Sequence, residues 1–423
     1  MRRFHLFALV GLLGSLVIGG PLMAQEQPTP GDLPSTAQAV AWIDSDPAVV
    51  EARHALAAAG HGAAALAAGS HEWTARASTQ RRNVQGAGNS TEWSAQIERA
   101  IRIGGKAGLD RRLGDVELEI AQARIGEARH EAARALADLW LAWLAAGRAQ
   151  ALLSEQLSFA EANLAAVDKR KRAGDASALD LNIAQADLAE VQRQASLAGS
   201  NLAKARAKLR VRFPLAPLDS LPAITLADPV DPAPPFQSEA QWRERIVAEA
   251  DPLKIAQAQV SKAELGASRA KADRVPDPTI GVYTASEAFR NERVFGISLS
   301  IPLSGTYRDA RARQSLQEVD VARAALDRER RAIDTEVAET YADAVGSTER
   351  WRLSEQGAAV ARDSARLTQR AYTLGEADLQ VLLLARRQSL DASRAAVEAR
   401  ADALRWNYRL LIDAHLIWDL AHD

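Results

Sequence analysis

The candidate metal ligands to consider first in this sequence of 423 residues are two histidines. His54 and His61 lie seven residues apart, so on a helix they would share one face, and paired imidazoles are common zinc ligands. Solvent-facing histidines explain the same pair more simply, and the chain has no cysteine that could add a thiolate ligand. We therefore predict neither a metal site nor a cofactor.

No group of residues forms a recognisable catalytic arrangement. Gly104-Gly105-Lys106 lacks the flanking GxxxxGK[ST] frame of a phosphate loop, and its glycines more simply allow a sharp turn from a strand into a helix. Asp and Glu are spread among arginines along helical segments, which is typical of solvated faces. The sequence therefore predicts that the protein is not an enzyme. Its formal net charge of −2 gives no reason to expect nucleic-acid binding.

The predicted strands and helices occur twice along the chain. Each half of the chain contains two short segments in which apolar and polar residues alternate, followed by a long helical run. In the fourth segment, Phe295, Ile297 and Leu299 face one way, whereas Ser298 and Ser300 face the other. Such alternation indicates strands with one apolar face. The four predicted strands span about 72–82, 92–103, 279–287 and 294–303.

Long helices follow both strand pairs. Leu109, Leu113, Val116 and Ile120 are spaced by four, three and four residues, which is heptad spacing. A helix from residue 106 to about 172 would be about 100 Å long, which favours a coiled coil or a helical repeat over an ordinary globular helix. The two predicted long helical hairpins span 106–212 and 306–414. One alanine-rich helix is predicted before each strand pair, over about 36–70 and 238–272.

The N-terminus has the features of a secretory signal. Arg2 and Arg3 provide positive charge, Leu6 to Ile18 are apolar, and Ala24 suits the cleavage position. No later stretch reaches 18 uncharged apolar residues, so no transmembrane helix is expected in the mature chain. Because the chain lacks cysteine, a lipid anchor on an N-terminal cysteine is not expected either.

Proline marks the boundary between the halves. Residues 213–236 contain seven prolines, whereas none occurs between Pro47 and Pro214 or after Pro302. A segment of this composition is typical of a linker. The predicted division of the chain is a signal peptide (1–24), a flexible N-terminal segment (25–35), a first repeat (36–212), a Pro-rich linker (213–237), a second repeat (238–415) and a C-terminal tail (416–423).

Four strands per chain leave open sheet edges. Closing a barrel with strands from several copies removes such edges. Strands of about 9–11 residues with one apolar and one polar face fit a membrane barrel with a wet interior. The helices would then continue outside the bilayer as the wall of a tube. A periplasmic coiled-coil protein with small β-hairpins is the alternative that these patterns leave open.

The order of elements resembles that of the TolC-like outer-membrane efflux factors over nearly the whole mature chain. Residues 97–106, which read IERAIRIGGK, resemble the strand-to-helix junction of the CzcC-like, heavy-metal branch of that family. Ala107 replaces an arginine of that pattern, and Arg102 stands where the branch tends to have an acidic or apolar residue. The segment that ends in Pro302 is similar to the second junction, where we expect Gly305 to form an equivalent glycine turn.

This resemblance implies a mainly α-helical fold with a small β part. Three chains would form a 12-stranded outer-membrane β-barrel, continued by a periplasmic α-helical coiled-coil tunnel. The resemblance also implies partners: a homotrimer in outer-membrane lipid that docks on a periplasmic adaptor (membrane fusion) protein and an inner-membrane RND pump. The chain would be a passive gated duct in a Gram-negative outer membrane, and its heavy-metal branch implies export of divalent cations.

The breaks in the two long hairpins then become candidate sites, because they look like the periplasmic tips of the family. The residues expected to dock the adaptor are Gly174, Asp175, Ser177, Gly375, Glu376 and Asp378. Asp180 and Asp378 are candidate gate carboxylates, since three-fold symmetry would turn an inward carboxylate into a ring that attracts cations. Alternatively, these acids simply cap the returning helices.

Other functions are kept as alternatives. A multidrug duct for organic compounds would share the fold and differ only in its cargo. A periplasmic adaptor or coiled-coil scaffold needs no barrel, but an adaptor should show one helical hairpin rather than two. A secreted enzyme would need a convergent site that the sequence does not display.

Overall fold

The structure is a computed structural model that describes residues 29–218, 225–230, 235–236, 238–418 and 420. The predicted signal peptide lies outside these residues, as do parts of the flexible N-terminal segment, the linker and the tail. The described part is mainly helical with one small sheet, which confirms the predicted fold class. In chain order its elements are α1 (Thr36–Asp44), α2 (Pro47–Ala68), β1 (Thr74–Val84), β2 (Gly88–Ala100), α3 (Lys106–Ala173), α4 (Ala178–Arg212), α5 (Glu239–Glu249), α6 (Asp251–Ala272), β3 (Thr279–Glu287), β4 (Glu292–Ser300), α7 (Thr306–Leu374) and α8 (Leu379–Asp413).

The long helices occur as two hairpins of nearly equal length. α3 and α4 have 68 and 35 residues, and α7 and α8 have 69 and 35. At 1.5 Å per residue the longer helix of each hairpin extends about 100 Å. Equal lengths in both halves indicate that the whole hairpin is the repeated unit.

The two predicted alanine-rich helices are each divided, so the expectation of continuous helices is wrong. Pro47 opens α2, and Asp46 caps it by accepting from the backbone N–H of Ala48 at 2.9 Å. In the second repeat, α6 begins at Asp251 with Pro252 in its first turn. Proline lacks an N–H and disfavours helical geometry in the residue before it, so it starts a helix but does not continue one.

The four strands form one antiparallel sheet in the order β1-β2-β3-β4. The central pair, β2 with β3, joins the two repeats, with Ile97 opposite Val282 and Val282 in turn opposite Ile297. β1 and β4 are therefore the two edges. β3 has the predicted bounds, and the other strands begin or end up to four residues away from them.

Two aromatic-centred cores hold the helices together near the middle of the molecule. Trp140 lies 5.9 Å from Trp42, measured between ring centroids, and its indole N–H donates to the carbonyl oxygen of Asp32 at 2.7 Å. Trp242 makes an edge contact with Phe236 at 5.0 Å. From these cores, the helices carry the sheet at one end and the hairpin tips at the other. None of the described helices combines the length and hydropathy that crossing a membrane requires.

Candidate functional site

One face of the sheet is apolar and exposed. Phe295, Ile297 and Leu299 are 78%, 75% and 63% exposed, as the alternation in the fourth segment suggested. Further large side chains on this face are Trp93, Ile97, Ile280 and Val282. Contiguous apolar patches of this kind are rare on soluble monomers, so an apolar environment must cover this one.

The opposite face of the sheet is polar and internally paired. Arg76 forms an ion pair with Glu98 at 3.3 Å across β1 and β2. The amide nitrogen of Gln96 donates to the hydroxyl of Ser298 at 3.1 Å, which links β2 to β4. This link passes over Gly281, where an added Cβ would lie only 2.7 Å from the Ser298 hydroxyl. A face of paired charges and amides suits contact with water.

The first strand-to-helix junction is built around a buried lysine. Gly104 and Gly105 both have left-handed backbones, with φ of 67° and 78°, and they turn the chain from β2 into α3. Lys106, the first residue of α3, is 1% exposed. Its ammonium donates to the carbonyl oxygen of Val275 and to Asp277 Oδ1, each at 2.7 Å. The glycines therefore supply the turn, and the lysine fastens it to the second repeat.

Asp277 accepts three hydrogen bonds at this junction. Besides the Lys106 ammonium, they come from the His71 imidazole at 3.0 Å and the backbone N–H of Ile103 at 3.1 Å. Burial alone would raise the pKa of this carboxyl, but the three donors outweigh burial and lower the pKa to about 2. Asp277 was not a candidate from the sequence, because it lies 171 residues from Lys106.

The Arg102 side chain caps the C-terminal end of α2. Its guanidinium donates to the carbonyl oxygens of Leu66, Ala67 and Ala68 at 2.7–3.0 Å. It also forms an ion pair with Asp110 at 2.8 Å. The last carbonyls of a helix lack partners within the helix, so this departure from the CzcC-like pattern has a structural role here.

The second junction is built differently from the first. Gly305 has an extended backbone with φ of −138°, and a Cβ added to it would meet no atom within 4 Å. The expected equivalent glycine turn is therefore not found. Instead, the Ser304 hydroxyl donates to the carbonyl oxygen of Arg274 at 2.7 Å. Pro302 follows the last residue of β4, Ser300, so its missing N–H costs the sheet nothing.

Both hairpin tips turn at a left-handed glycine. Gly174 and Gly375 have φ of 87° and 77° and end α3 and α7. In each tip the next N–H bonds the carbonyl oxygen five residues earlier, at 2.8 Å in the first tip and 2.9 Å in the second. Glycine is the residue that favours this backbone. Asp175 and Glu376, the residues that follow, are exposed.

The other tip acids act as helix caps. Asp180 Oδ2 accepts from the backbone N–H and the hydroxyl of Ser177, at 2.9 and 2.8 Å, and these bonds lower the pKa of Asp180. Asp378 Oδ1 accepts from the backbone N–H of Val381 at 2.9 Å. Both candidate gate carboxylates thus stabilise the start of a returning helix, which is the alternative role considered for them from the sequence.

A direct contact joins the two tips. The Arg170 guanidinium donates to the Tyr372 hydroxyl at 3.0 Å and lies 5.6 Å from the centre of the Tyr372 ring. Val167, Leu379 and Leu383 form a small buried cluster beside this contact. The two repeats therefore meet at the tips as well as at the sheet.

Some histidines are exposed on the surface, whereas others contact buried carboxylates. His54 and His61 are exposed on α2. His130 Nε2 bonds Asp413 Oδ1 at 3.0 Å, and the Arg134 guanidinium donates to the same oxygen at 2.8 Å. Burial raises the pKa of Asp413, but these two partners outweigh it and lower the pKa. Within the described ranges, no group of three or more His, Asp or Glu is placed to hold a metal ion.

Comparisons with known proteins agree with this architecture. Residues 242–411 match the family model described as "Outer membrane efflux protein". No curated protein matches the chain by sequence.

Solved structures of similar fold cover nearly the whole chain. The outer-membrane channel OprN has a TM-score of 0.75 and 19% identity, over 92% of this chain and 91% of OprN. The outer membrane protein VceC from Vibrio cholerae has a TM-score of 0.69 and 17% identity, over 90% of this chain and 95% of VceC. CusC has a TM-score of 0.65 and 13% identity, over 92% of this chain and 98% of CusC.

The resemblance to TolC-like outer-membrane efflux factors is thus confirmed. The second repeat carries the sequence of the outer membrane efflux protein family, and the described chain has the fold of these channels. The expected outer-membrane location is confirmed with it.

Proposed function

We propose that three copies of this chain close a 12-stranded barrel that continues as a 12-helix tunnel. Two observations support closure. The sheet ends in unpaired edges at β1 and β4, and its antiparallel order lets β4 of one copy pair with β1 of the next. With the exposed apolar face turned towards lipid, the paired polar face lines the lumen.

The complete assembly would be the outer-membrane channel of a tripartite RND-type efflux system. The observation that carries this proposal is that one chain joins an exposed apolar sheet to two hairpins about 100 Å long. Such a chain connects a membrane to a distant partner. It would act as a passive gated duct, and the pump would select the cargo and supply the energy.

The tips are the proposed docking surface for the periplasmic adaptor. Leu179 and Leu374 are 63% and 64% exposed, although both are large and apolar. Both leucines lie close in sequence to the left-handed turns at Gly174 and Gly375, and the backbone of these turns holds them at the end of each hairpin. Asp180 and Asp378 remain the proposed gate carboxylates, since one oxygen of each is free of the capping bonds and a ring of three carboxylates would attract cations.

Divalent heavy-metal cations are the proposed cargo. The support is the CzcC-like junction ending in Gly104-Gly105-Lys106, whose lysine and glycines have defined roles in the structure. A duct should bind its cargo weakly, because a tight site would slow release. Organic compounds are the alternative cargo, and the fold would serve either.

Deletion of this chain from its host tests the cargo. We expect sensitivity to zinc, cobalt or cadmium ions to rise more than sensitivity to bulky organic drugs, with both restored by the wild-type chain. Sensitivity to drugs alone, at unchanged metal tolerance, would assign the chain to multidrug export. Unchanged tolerance to both classes would contradict the efflux function.

A further inference from the structure

A groove of about 870 Å³ lies on the apolar face of the sheet, at the end next to the helices. This volume falls within the roughly 300–1,000 Å³ of small-ligand sites. Among the described residues, its walls combine large apolar side chains with cations and contain no carboxylate. The residues that matter here are His71, Trp73, Ile97, Arg99, Ile101 and Ile280.

Arg99 is the cation with donors to spare. Its Nε donates to the carbonyl oxygen of His71 at 2.8 Å, and its guanidinium lies 5.6 Å from the centre of the Trp73 ring. Within the described residues, Arg99 forms no ion pair, because no carboxylate oxygen lies within 4.0 Å of its guanidinium nitrogens. The other arginine of the wall, Arg102, is already paired with Asp110. The His71 imidazole is likewise bound to Asp277, behind the groove.

The apolar part of the groove is continuous with the exposed face of the sheet. Ile97, Ile101, Ile280 and Val282 are each 42–45% exposed. Arg99 is the second-to-last residue of β2 and pairs with Ile280 on β3. Its guanidinium therefore lies where the apolar face ends.

This placement fits the boundary of a bilayer. An arginine on a lipid-facing strand strongly destabilises a barrel at mid-membrane but costs little near the interface. Tryptophan is enriched at the same depth, where its ring is apolar and its N–H reaches water. The end of the sheet next to the helices faces the periplasm in the proposed assembly.

We propose that this groove binds one phospholipid of the periplasmic leaflet. The lipid phosphate would accept hydrogen bonds from the terminal nitrogens of Arg99, which form the planar fork that suits a phosphate. The Trp73 ring and the Nε bond to His71 hold that fork in place, and an acyl chain lies over Ile97 and Ile280. The proposal rests on the proposed function, because it requires this face of the sheet to lie in a membrane.

Native mass spectrometry of the purified trimer in detergent tests the proposal. The probes are a short-chain phosphatidylglycerol, a diacylglycerol of equal chain length and inorganic phosphate. We expect one phosphatidylglycerol per chain, with diacylglycerol and phosphate each bound at least tenfold more weakly. Arg99→Gln should lower phosphatidylglycerol occupancy about tenfold, and Arg99→Lys should lower it less.

Arg81→Gln is the matched control. Arg81 lies opposite Thr91, on the same face as Arg99 but eight residues, or about 27 Å, along β2. Occupancy should stay at the wild-type level in this variant. Equal occupancy in Arg81→Gln and Arg99→Gln trimers would overturn the proposal, as would phosphate binding as tightly as the lipid.

A second variant guards against a failure of Arg99→Gln to assemble. Trp73→Ala leaves the bond between Arg99 and the His71 carbonyl intact and should lower occupancy about threefold. Wild-type occupancy in this variant would count against the groove. If the wild-type chain forms no membrane trimer, the proposed function fails; if the trimer forms and binds no lipid, only this inference fails.

Discussion

Replacing Lys106 by methionine is expected to lower the free energy of unfolding by about 3 kcal/mol. Removing one partner of a buried ion pair costs about 3–5 kcal/mol, because the other charge is left uncompensated. Lys106 is 1% exposed, and its side chain donates to Asp277 and to the carbonyl oxygen of Val275. The lower end of the range applies, since Asp277 keeps its bonds from His71 and Ile103.

The same variant should change the response to acid. The pKa of Asp277 is about 2, against an ordinary value of 3.8, which corresponds to about 2 kcal/mol of stability. Because the folded pKa is the lower one, this stability is present above about pH 4 and is lost as the pH falls through about 2. Without the ammonium, the folded pKa of Asp277 should rise. The difference in stability between wild type and Lys106→Met should therefore shrink as the pH falls from 5 to 2.

Urea unfolding of the purified protein, followed by circular dichroism at pH 7 and pH 3, measures both effects. Lys262→Met is the control, since Lys262 is 45% exposed and pairs with Glu117 at the surface. It should cost less than about 1 kcal/mol at either pH. Equal stability losses in the two variants, or a loss from Lys106→Met that does not depend on pH, would refute the assigned role of the junction.

Three further changes test other parts of the molecule. Phe295→Arg, in the middle of the apolar face, should cost about 2–4 kcal/mol and lower the yield of outer-membrane trimer, whereas Ser300→Arg on the opposite face should be mild; equal yields would contradict the assignment of the faces. Gly174→Val or Gly375→Val should strain a left-handed turn by about 1–2 kcal/mol, leave trimers on a native gel and abolish efflux, whereas normal efflux would exclude the tips as docking sites. Asp413→Ala should remove the buried carboxylate that pairs with His130 and Arg134 and cost about 3 kcal/mol by urea unfolding, the lower end for a broken buried pair because Arg134 keeps Glu131 and Glu336; a loss below 1 kcal/mol would show that the pairs contribute little.

The elements with a strong period could be predicted from the sequence. β4 alternates strictly, from Phe295 to Leu299 on one face, and its exposed face in the structure is the predicted one. The long helices were predictable because both runs lack proline and each is broken only where its hairpin turns, at Gly174 and Gly375. In these segments the local pattern is enough to predict the secondary structure.

Contacts between distant segments could not be predicted in the same way. Asp277 reaches Lys106 only because β2 pairs with β3, and no local pattern encodes that pairing. Gly305 has the spacing of a repeated glycine turn, yet its backbone is extended because the second junction is held by other hydrogen bonds. The breaks before Pro47 and Pro252 did have a local signal, in the aspartate that precedes each proline.

Fractionation of the host envelope, followed by gels of unheated and boiled samples, tests the central claim most directly. We predict that the chain is found in the outer-membrane fraction as a trimer in unheated samples and that boiling converts it to a monomer. The full chain has a mass of 45.5 kDa, so the two forms separate clearly. A monomer in the soluble periplasmic fraction at both temperatures would contradict the channel and favour a coiled-coil scaffold.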